Sequence, residues 1–156
     1  MKAVIQRVKK ACVSVSGDTV GKIEEGLLIL LGVAKGDTEA EASLLAEKLS
    51  KMRIFSDSED KMNLSVIDIG GKALVISNFT LCADVRRGTR PSFDPAMPPS
   101  EAKRLYEYFC DSLIKTGVNG VERGIFGADM SVELINDGPV TLTIDTDIWN
   151  KPRNDR

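Results

Sequence analysis

Hydrophobic and polar residues alternate along SVELINDGPVTLTID, residues 131–145, in the pattern of half-buried strands. The alternation is interrupted once, by Asn136-Asp137-Gly138-Pro139. Asn-Asp-Gly is ordinary turn chemistry, and proline is tolerated as the first residue of the strand that follows. The pattern therefore predicts a hairpin in which Asn136 and Asp137 bring the chain round.

The N-terminal half shows two kinds of strand pattern. KAVIQRV and CVSVSG alternate between apolar and polar residues, and they are predicted to pair with each other. GLLILLGV and GKALVISNFTL are continuous apolar runs, which are typical of strands covered on both faces. Together these segments predict much of one sheet.

Two segments change to a helical period. In TEAEASLLAEKLSKM, Thr38 is followed by Glu41 at the spacing of a capping box, which predicts the start of a helix. In SEAKRLYEYFCDSLIKTG, apolar residues recur at helical spacing, and Gly117 stands where a C-terminal cap is expected. The chain therefore carries two long predicted helices.

The order of these elements defines the fold class. About seven strands and two helices follow one another without strict strand–helix–strand alternation and without an internal repeat. This order predicts an α+β fold with a curved, mostly antiparallel sheet or barrel covered by the two helices. We expect one domain over residues 1–150, followed by a polar, loose tail over residues 151–156.

Composition narrows the class of protein. The 156 residues are 42% hydrophobic and 28% charged, as in ordinary globular proteins, and the net charge is −2. Without a positive net charge, any RNA contact must come from a local basic patch, and we expect no DNA partner. No apolar run approaches the roughly 20 residues of a membrane helix, and no signal-peptide pattern is visible. We therefore expect a cytoplasmic protein with no membrane partner.

Cysteine and histidine usage restricts the chemistry. Cys12, Cys82 and Cys110 are odd in number and widely spaced, which favours small buried residues over a disulfide framework or a zinc site. Histidine is absent, so Ser-His-Asp and Cys-His catalysis are excluded within this chain. An enzyme of this composition must use hydroxyls, carboxylates, lysine, backbone dipoles or a group on its substrate. We expect no metal and no cofactor.

The residues that end the second apolar run are candidates for chemistry. In a continued strand, Ser77 and Phe79 would face one side while Asn78 and Thr80 face the other. Polar groups in such a run need hydrogen-bond partners. They either bind neighbouring backbone at the strand end, or they belong to a strand end whose free N–H groups form an oxyanion site. The residues alone leave both interpretations open.

A long loop rich in proline, glycine and arginine follows. ADVRRGTRPSFDPAMPPS contains Arg86, Arg87 and Arg90. Arginine is suited to bidentate phosphate contacts, and long loops often carry function. A solvated loop and an RNA-facing patch are both compatible with this sequence.

Taken together, these segments resemble the D-aminoacyl-tRNA deacylase family of the bacterial and eukaryotic type. The resemblance runs almost end to end, through MKAVIQRVKKACVSVSG, GLLILLGV, RIFSDSEDKMNLSV, SNFTLCAD, RGTRPSF and FGADMSVELINDGPVT. Two family motifs carry it. Asn-x-Gly-Pro-x-Thr is complete as Asn136, Gly138, Pro139 and Thr141, and Ser-Gln-x-Thr is present as Ser77, Phe79 and Thr80, with Asn78 where the family usually has glutamine.

The resemblance implies a homodimer with its active sites at the subunit interface. Such enzymes cleave the ester of D-aminoacyl-tRNA, and also of glycyl-tRNA, at the 3′-terminal adenosine. Their Gly-Pro bond is cis, and the pair projects into the other subunit's site. Here Gly138 and Pro139 would act on the pocket at Ser77–Thr80 and reject an L side chain. Arg7 would hold the loop, with Met130 and Asn136 nearby.

Several alternatives remain open within this hypothesis. The N–H groups of Phe79 and Thr80 would stabilise the oxyanion, while the attacking group is the substrate 2′-hydroxyl, a water or the Thr80 hydroxyl. Asn78 acts through its side chain or through its backbone alone, and we favour the backbone, with activity retained. A catalytically impaired dimeric module that binds RNA ends, or a barrel that binds small molecules, is the competing class.

Overall fold

The computed structural model describes residues 1–150, so the polar tail predicted for residues 151–156 lies outside the described residues. The strands are β1 (Lys2–Val15), β2 (Asp18–Ile23), β3 (Gly26–Gly32), β4 (Phe55–Ser56), β5 (Met62–Leu64), β6 (Lys72–Ser77), β7 (Val121–Arg123) and β8 (Ser131–Asp145). The helices are α1 (Glu39–Lys51) and α2 (Pro99–Lys115), with short 3₁₀ helices at Phe79–Cys82 and Thr146–Asn150. None of the helices in the described part has the length and hydropathy needed to cross a membrane.

One curved sheet organises the molecule. β1 pairs antiparallel with β2, β3 and β8, while β3–β6 and β6–β7 are parallel pairs. β4 and β5 form a separate antiparallel pair. Antiparallel pairing predominates, as predicted, and the α+β class with two long helices is confirmed.

Hydrophobic residues pack on both faces of the sheet. Successive residues of a strand point to opposite faces, so Ile29 and Val75 face α1 and α2, while Leu28 and Leu74 face a second, smaller cluster. This double burial explains why β3 and β6 are continuous apolar runs in the sequence.

The two strands predicted for the N-terminus form one strand, β1, so their predicted pairing with each other is wrong. No turn residue separates the two segments, and Lys9 and Lys10 continue the strand with exposed side chains. The register against β8 shifts twice near Val8. As a result Ile5 faces the helices, whereas Val8 and Val13 face the smaller cluster.

The hairpin predicted at Asn136-Asp137-Gly138-Pro139 is also wrong. Residues 131–145 form the single strand β8, which pairs with β1 on both sides of this segment. Asn136 lies opposite Val8 and Thr141 lies opposite Gln6, so residues 137–140 face Arg7 alone. The four residues opposite Arg7 form an enlarged bulge within the strand, hereafter the Gly-Pro bulge. The chain does not reverse because β1 offers partners beyond the bulge.

The helix boundaries follow their predicted signals. Thr38 caps α1 and forms a capping box, with Glu41 Oε2 accepting a hydrogen bond of 2.8 Å from the Thr38 N–H. At the end of α2, Gly117 follows the cap with φ +97°, a conformation that favours glycine. Both helices are therefore specified by local chemistry.

Candidate active site

The first site element is the turn that follows β6. Ser77 ends the strand opposite Leu31, and the Asn78 N–H donates to the Leu31 carbonyl over 2.8 Å. Asn78 then caps the 3₁₀ helix Phe79–Cys82. The predicted alternation of side chains beyond Ser77 is therefore wrong, because a capping side chain competes with strand continuation.

The Asn78 side chain holds this turn together. Its Oδ1 accepts a hydrogen bond of 3.2 Å from the Thr80 N–H, and the Thr80 hydroxyl donates to the same oxygen. On the inner side, a Cβ added at Gly32 would lie 3.0 Å from the Asn78 carbonyl oxygen, so the bare glycine permits this close approach. Asn78 thus contributes its side chain, whereas the sequence favoured a role for its backbone alone.

Two N–H groups in the turn were expected to bind an oxyanion. That of Thr80 is engaged by Asn78. That of Phe79 has no hydrogen-bond partner within residues 1–150. Phe79 therefore supplies the available backbone donor.

A cavity of about 630 Å³ opens beside the turn. Ser77, Asn78 and Phe79 border it, whereas Thr80 is exposed and does not line it. Aromatic and sulfur-containing side chains form much of the remaining wall: Phe93, Met97, Tyr106, Phe126 and Met130. The cavity is therefore largely apolar, with polar groups of the turn at one side.

Aromatic residues fix the geometry of this cavity. The ring of Phe93 packs edge-on against that of Phe79, with centroids 5.0 Å apart. The Tyr106 hydroxyl donates to the Val75 carbonyl over 2.8 Å, just before the end of β6. Burial raises the pKa of Tyr106, so its hydroxyl stays protonated as a donor. The sequence reveals Tyr106 only as an apolar helix position, since no local pattern relates α2 to β6.

The second element is the Gly-Pro bulge. The Gly138–Pro139 bond is cis, as the resemblance implies, and both residues are exposed. Arg7 is 9% exposed and reaches the bulge, where its Nε donates to the Asp137 carbonyl over 3.0 Å. Asn136 Oδ1 accepts a weak hydrogen bond of 3.3 Å from the side chain of Gln6. The bulge is thus braced by β1.

The bulge and the cavity are separate within one chain. Gly138 and Pro139 do not line the cavity, and neither do Arg7 and Asn136. Of the residues assigned to the chirality filter, Met130 alone borders it. The sequence could not reveal this division, because the two motifs give no information on their distance in space.

The third element is the arginine loop, residues 84–92. Asp84 and Ser92 form an antiparallel bridge at its base, and Arg86, Arg87 and Arg90 line a surface pocket of about 530 Å³. Phe93 follows the loop directly and borders the cavity. The predicted arginine patch is therefore a shaped pocket beside the candidate site.

Within the described residues there is no group of three or more metal-ligating side chains.

Comparisons with known proteins identify a family and several relatives of this chain. The family model described as D-Tyr-tRNA(Tyr) deacylase matches residues 4–145. A D-aminoacyl-tRNA deacylase of Roseiflexus castenholzii (strain DSM 13941 / HLO8) is 57% identical over 154 residues, covering 99% of this chain and 98% of the relative. Another, of Geobacter sulfurreducens (strain ATCC 51573 / DSM 12127 / PCA), is 56% identical over 146 residues, covering 94% and 95%.

Solved structures show the same fold. The structure of a c-Myc DNA Unwinding Element Binding Protein superposes with a TM-score of 0.88 at 39% identity, covering 93% of this chain and 98% of that one. A probable eukaryotic D-amino acid tRNA deacylase superposes with a TM-score of 0.77 at 15% identity, covering 92% and 97%. The second likeness concerns the fold alone.

Proposed function

The chain belongs to the D-Tyr-tRNA(Tyr) deacylase family, and from that premise we propose that it hydrolyses the ester of D-aminoacyl-tRNA and of mischarged glycyl-tRNA. The products are the free amino acid and tRNA, so the reaction proofreads mischarged tRNA, in the cytoplasm where aminoacyl-tRNA is used. The observation that carries the proposal is the Phe79 N–H at the edge of the cavity, which has no hydrogen-bond partner among the described residues.

The terminal adenosine fits the character of the cavity. Its volume of about 630 Å³ lies within the usual range for small-molecule sites. Phe79, Phe93 and Phe126 offer aromatic surface, and unstacked RNA bases are commonly bound by such side chains. With the base in the cavity, the ester carbonyl is placed at the turn, where the Phe79 N–H stabilises the oxyanion.

The attacking group comes from the substrate or the solvent. The Thr80 hydroxyl donates a hydrogen bond to the amide oxygen of Asn78, and an amide oxygen is not a base that could remove the proton. A nucleophilic hydroxyl needs an adjacent base, and the chain contains no histidine. This favours the 2′-hydroxyl of the terminal adenosine or a water over Thr80. An aminoacyl ester is already activated, so neither a metal nor a cofactor is required.

Chirality is read by the Gly-Pro bulge of a second subunit. Gly138 and Pro139 are exposed, braced by Arg7 and outside the cavity of their own chain, which supports a role in trans. In this homodimer an L side chain would collide with the partner's bulge, while a D side chain would point to solvent. Glycine has no side chain to reject and passes.

A competing function is a dimeric module that binds RNA ends without cleaving them. The observation that favours it is Asn78, which stands where the family usually has glutamine and is engaged with Thr80. A nucleic acid of another kind appears in the name of the c-Myc DNA Unwinding Element Binding Protein. The expectation that this chain has no DNA partner stays a prediction.

One experiment separates these functions. The protein is incubated with D-tyrosyl-tRNA and L-tyrosyl-tRNA, with and without a chelator, and free tyrosine is measured. Release of D-tyrosine alone, unaffected by chelator, supports the proposed hydrolase. Binding without release supports the RNA-end module, and equal release of both enantiomers would overturn the chirality filter.

A further inference from the structure

The arginine loop is a closed structure. The Asp84 N–H donates to the Ser92 carbonyl over 2.8 Å, and the Ser92 N–H donates back to the Asp84 carbonyl over 2.9 Å. Gly88 has φ +65° within the loop, a conformation that favours glycine. The bridge at the base therefore holds the three arginines around one surface pocket.

Arg86 is committed to the loop itself. Its Nε donates to Asp84 Oδ1 over 2.9 Å, and its Nη2 donates to Asp84 Oδ2 over 2.6 Å. The paired guanidinium holds the pKa of the Asp84 carboxyl at about 2, so this ion pair persists across the physiological range. The Asp84 carboxylate, which also lines the pocket, therefore balances the charge of Arg86.

Arg87 and Arg90 differ from Arg86 in the partners of their guanidinium groups. Neither makes a hydrogen bond or an ion pair with another side chain in the described part of the molecule, although both are exposed and line the pocket. Two guanidinium groups with uncompensated charge face one concavity of about 530 Å³. Guanidinium groups match the geometry of phosphate oxygens, which they bind through paired N–H donors.

The position of the pocket relates it to the cavity. Ser92 lines the pocket, and the next residue, Phe93, lines the cavity and contacts Phe79. A nucleic acid whose last nucleoside lies in the cavity must leave it along the adjacent surface. The arginine loop is such a surface, and it carries the opposite charge to a phosphate backbone.

We propose that Arg87 and Arg90 form a phosphate-binding site for the 3′ strand of tRNA, while Arg86 braces the loop through Asp84. The inference rests on the proposed function and divides the arginines, which are equivalent in the sequence, into two binding residues and one positioning residue. Binding to phosphate oxygens fixes the register of the strand without selecting its sequence.

The test compares two substrates that differ in their phosphates. D-tyrosyl-tRNA carries the whole strand, whereas 2′(3′)-O-D-tyrosyl-adenosine carries the terminal nucleoside ester and no phosphate. Arg87→Gln and Arg90→Gln should each raise KM for D-tyrosyl-tRNA roughly tenfold at low salt, with kcat unchanged. Each should also reduce the slope of log KM against log salt by about 0.7 to 1. Both should leave kcat/KM for D-tyrosyl-adenosine within about twofold of wild type, because that substrate offers no phosphate.

The double variant Asp84→Asn/Arg86→Gln serves as the matched control within the loop. It removes an ion pair as a unit, so the net charge of the pocket is unchanged, and the backbone hydrogen bonds between residues 84 and 92 remain. Its salt slope should stay closer to wild type than that of either binding-residue variant. An equal loss of slope in all three variants would overturn the division of roles.

The outcomes separate the two proposals. If the wild type cleaves neither substrate, the proposed function fails. If it cleaves both while Arg87→Gln and Arg90→Gln match it on D-tyrosyl-tRNA at every salt concentration, the phosphate site is refuted. Loss of activity on D-tyrosyl-adenosine in these variants would also refute it, since the loop would then act through the fold and not through phosphate.

Discussion

Replacing Phe79 by proline removes the backbone N–H that the turn offers to an oxyanion, a group with no hydrogen-bond partner within residues 1–150. Phe79 is the first residue of a 3₁₀ helix, a position where proline is tolerated because that N–H lacks an intrahelical partner. Asn78 precedes it with φ −146° and ψ 90°, which lies outside the α region that a following proline disfavours. The substitution therefore deletes the N–H and should preserve the turn.

Phe79→Ala is the matched control, because it also loses the aromatic ring and keeps the N–H. Loss of one oxyanion donor costs about 10²–10³ in kcat, or about 2.7–4 kcal/mol. We expect Phe79→Pro to fall below Phe79→Ala by that factor in kcat and kcat/KM alike, as for an interaction made only in the transition state. The assay is steady-state cleavage of D-tyrosyl-tRNA, with thermal unfolding as the check on folding.

Equal rates for the two variants, both folded, would refute the assignment. The Phe79 N–H would then play no part in the reaction, and oxyanion stabilisation would have to come from another group. If both variants lose all activity, D-tyrosyl-adenosine distinguishes a lost donor from lost stacking, because added substrate can compensate for weaker binding and cannot compensate for slower chemistry.

Three further predictions follow from single contacts. Asn78→Gln should change the rate of D-tyrosyl-tRNA cleavage less than about tenfold, since the Phe79 N–H remains; a much larger gain would show that the shorter side chain limits catalysis. Gly26→Ala should destabilise the fold by about 3 kcal/mol or more in urea unfolding, because its Cβ would lie 1.9 Å from the Lys72 carbonyl oxygen; an unchanged midpoint would contradict that close approach. Burial raises the pKa of the Cys82 thiol and raises that of Cys110 to about 12, whereas Cys12 is half-buried and more accessible. At pH 8 no more than one thiol should therefore react with a disulfide reagent before denaturation, and all three should react after it.

Local chemistry made the helices predictable. The Thr38–Glu41 pair and the glycine at the end of α2 act within a few residues, so the sequence carries the whole signal. The apolar runs of β3 and β6 were equally clear, because burial on both faces leaves no polar alternation.

The errors arose where long-range pairing overrides local signals. Residues 136–139 have the composition of a turn, yet β1 supplies partners on both sides and the strand continues. The sequence shows the residues of the two motifs but not their arrangement in space. No sequence pattern indicates that Asn78 binds Thr80. Nor does any pattern indicate that, within residues 1–150, Asp84 pairs with Arg86 and not with Arg87 or Arg90.

The Gly-Pro bulge in β8 has a mechanical consequence for the proposed discrimination between D- and L-aminoacyl substrates. The tip of a hairpin is held by paired strands on one side only, so it can bend. Residues 137–140 are instead held at both ends, because ladder pairs with β1 flank them, and Arg7 also holds the Asp137 carbonyl. Selectivity between mirror-image substrates would then depend on the stiffness of a sheet, and on side chains of β1 that touch no substrate.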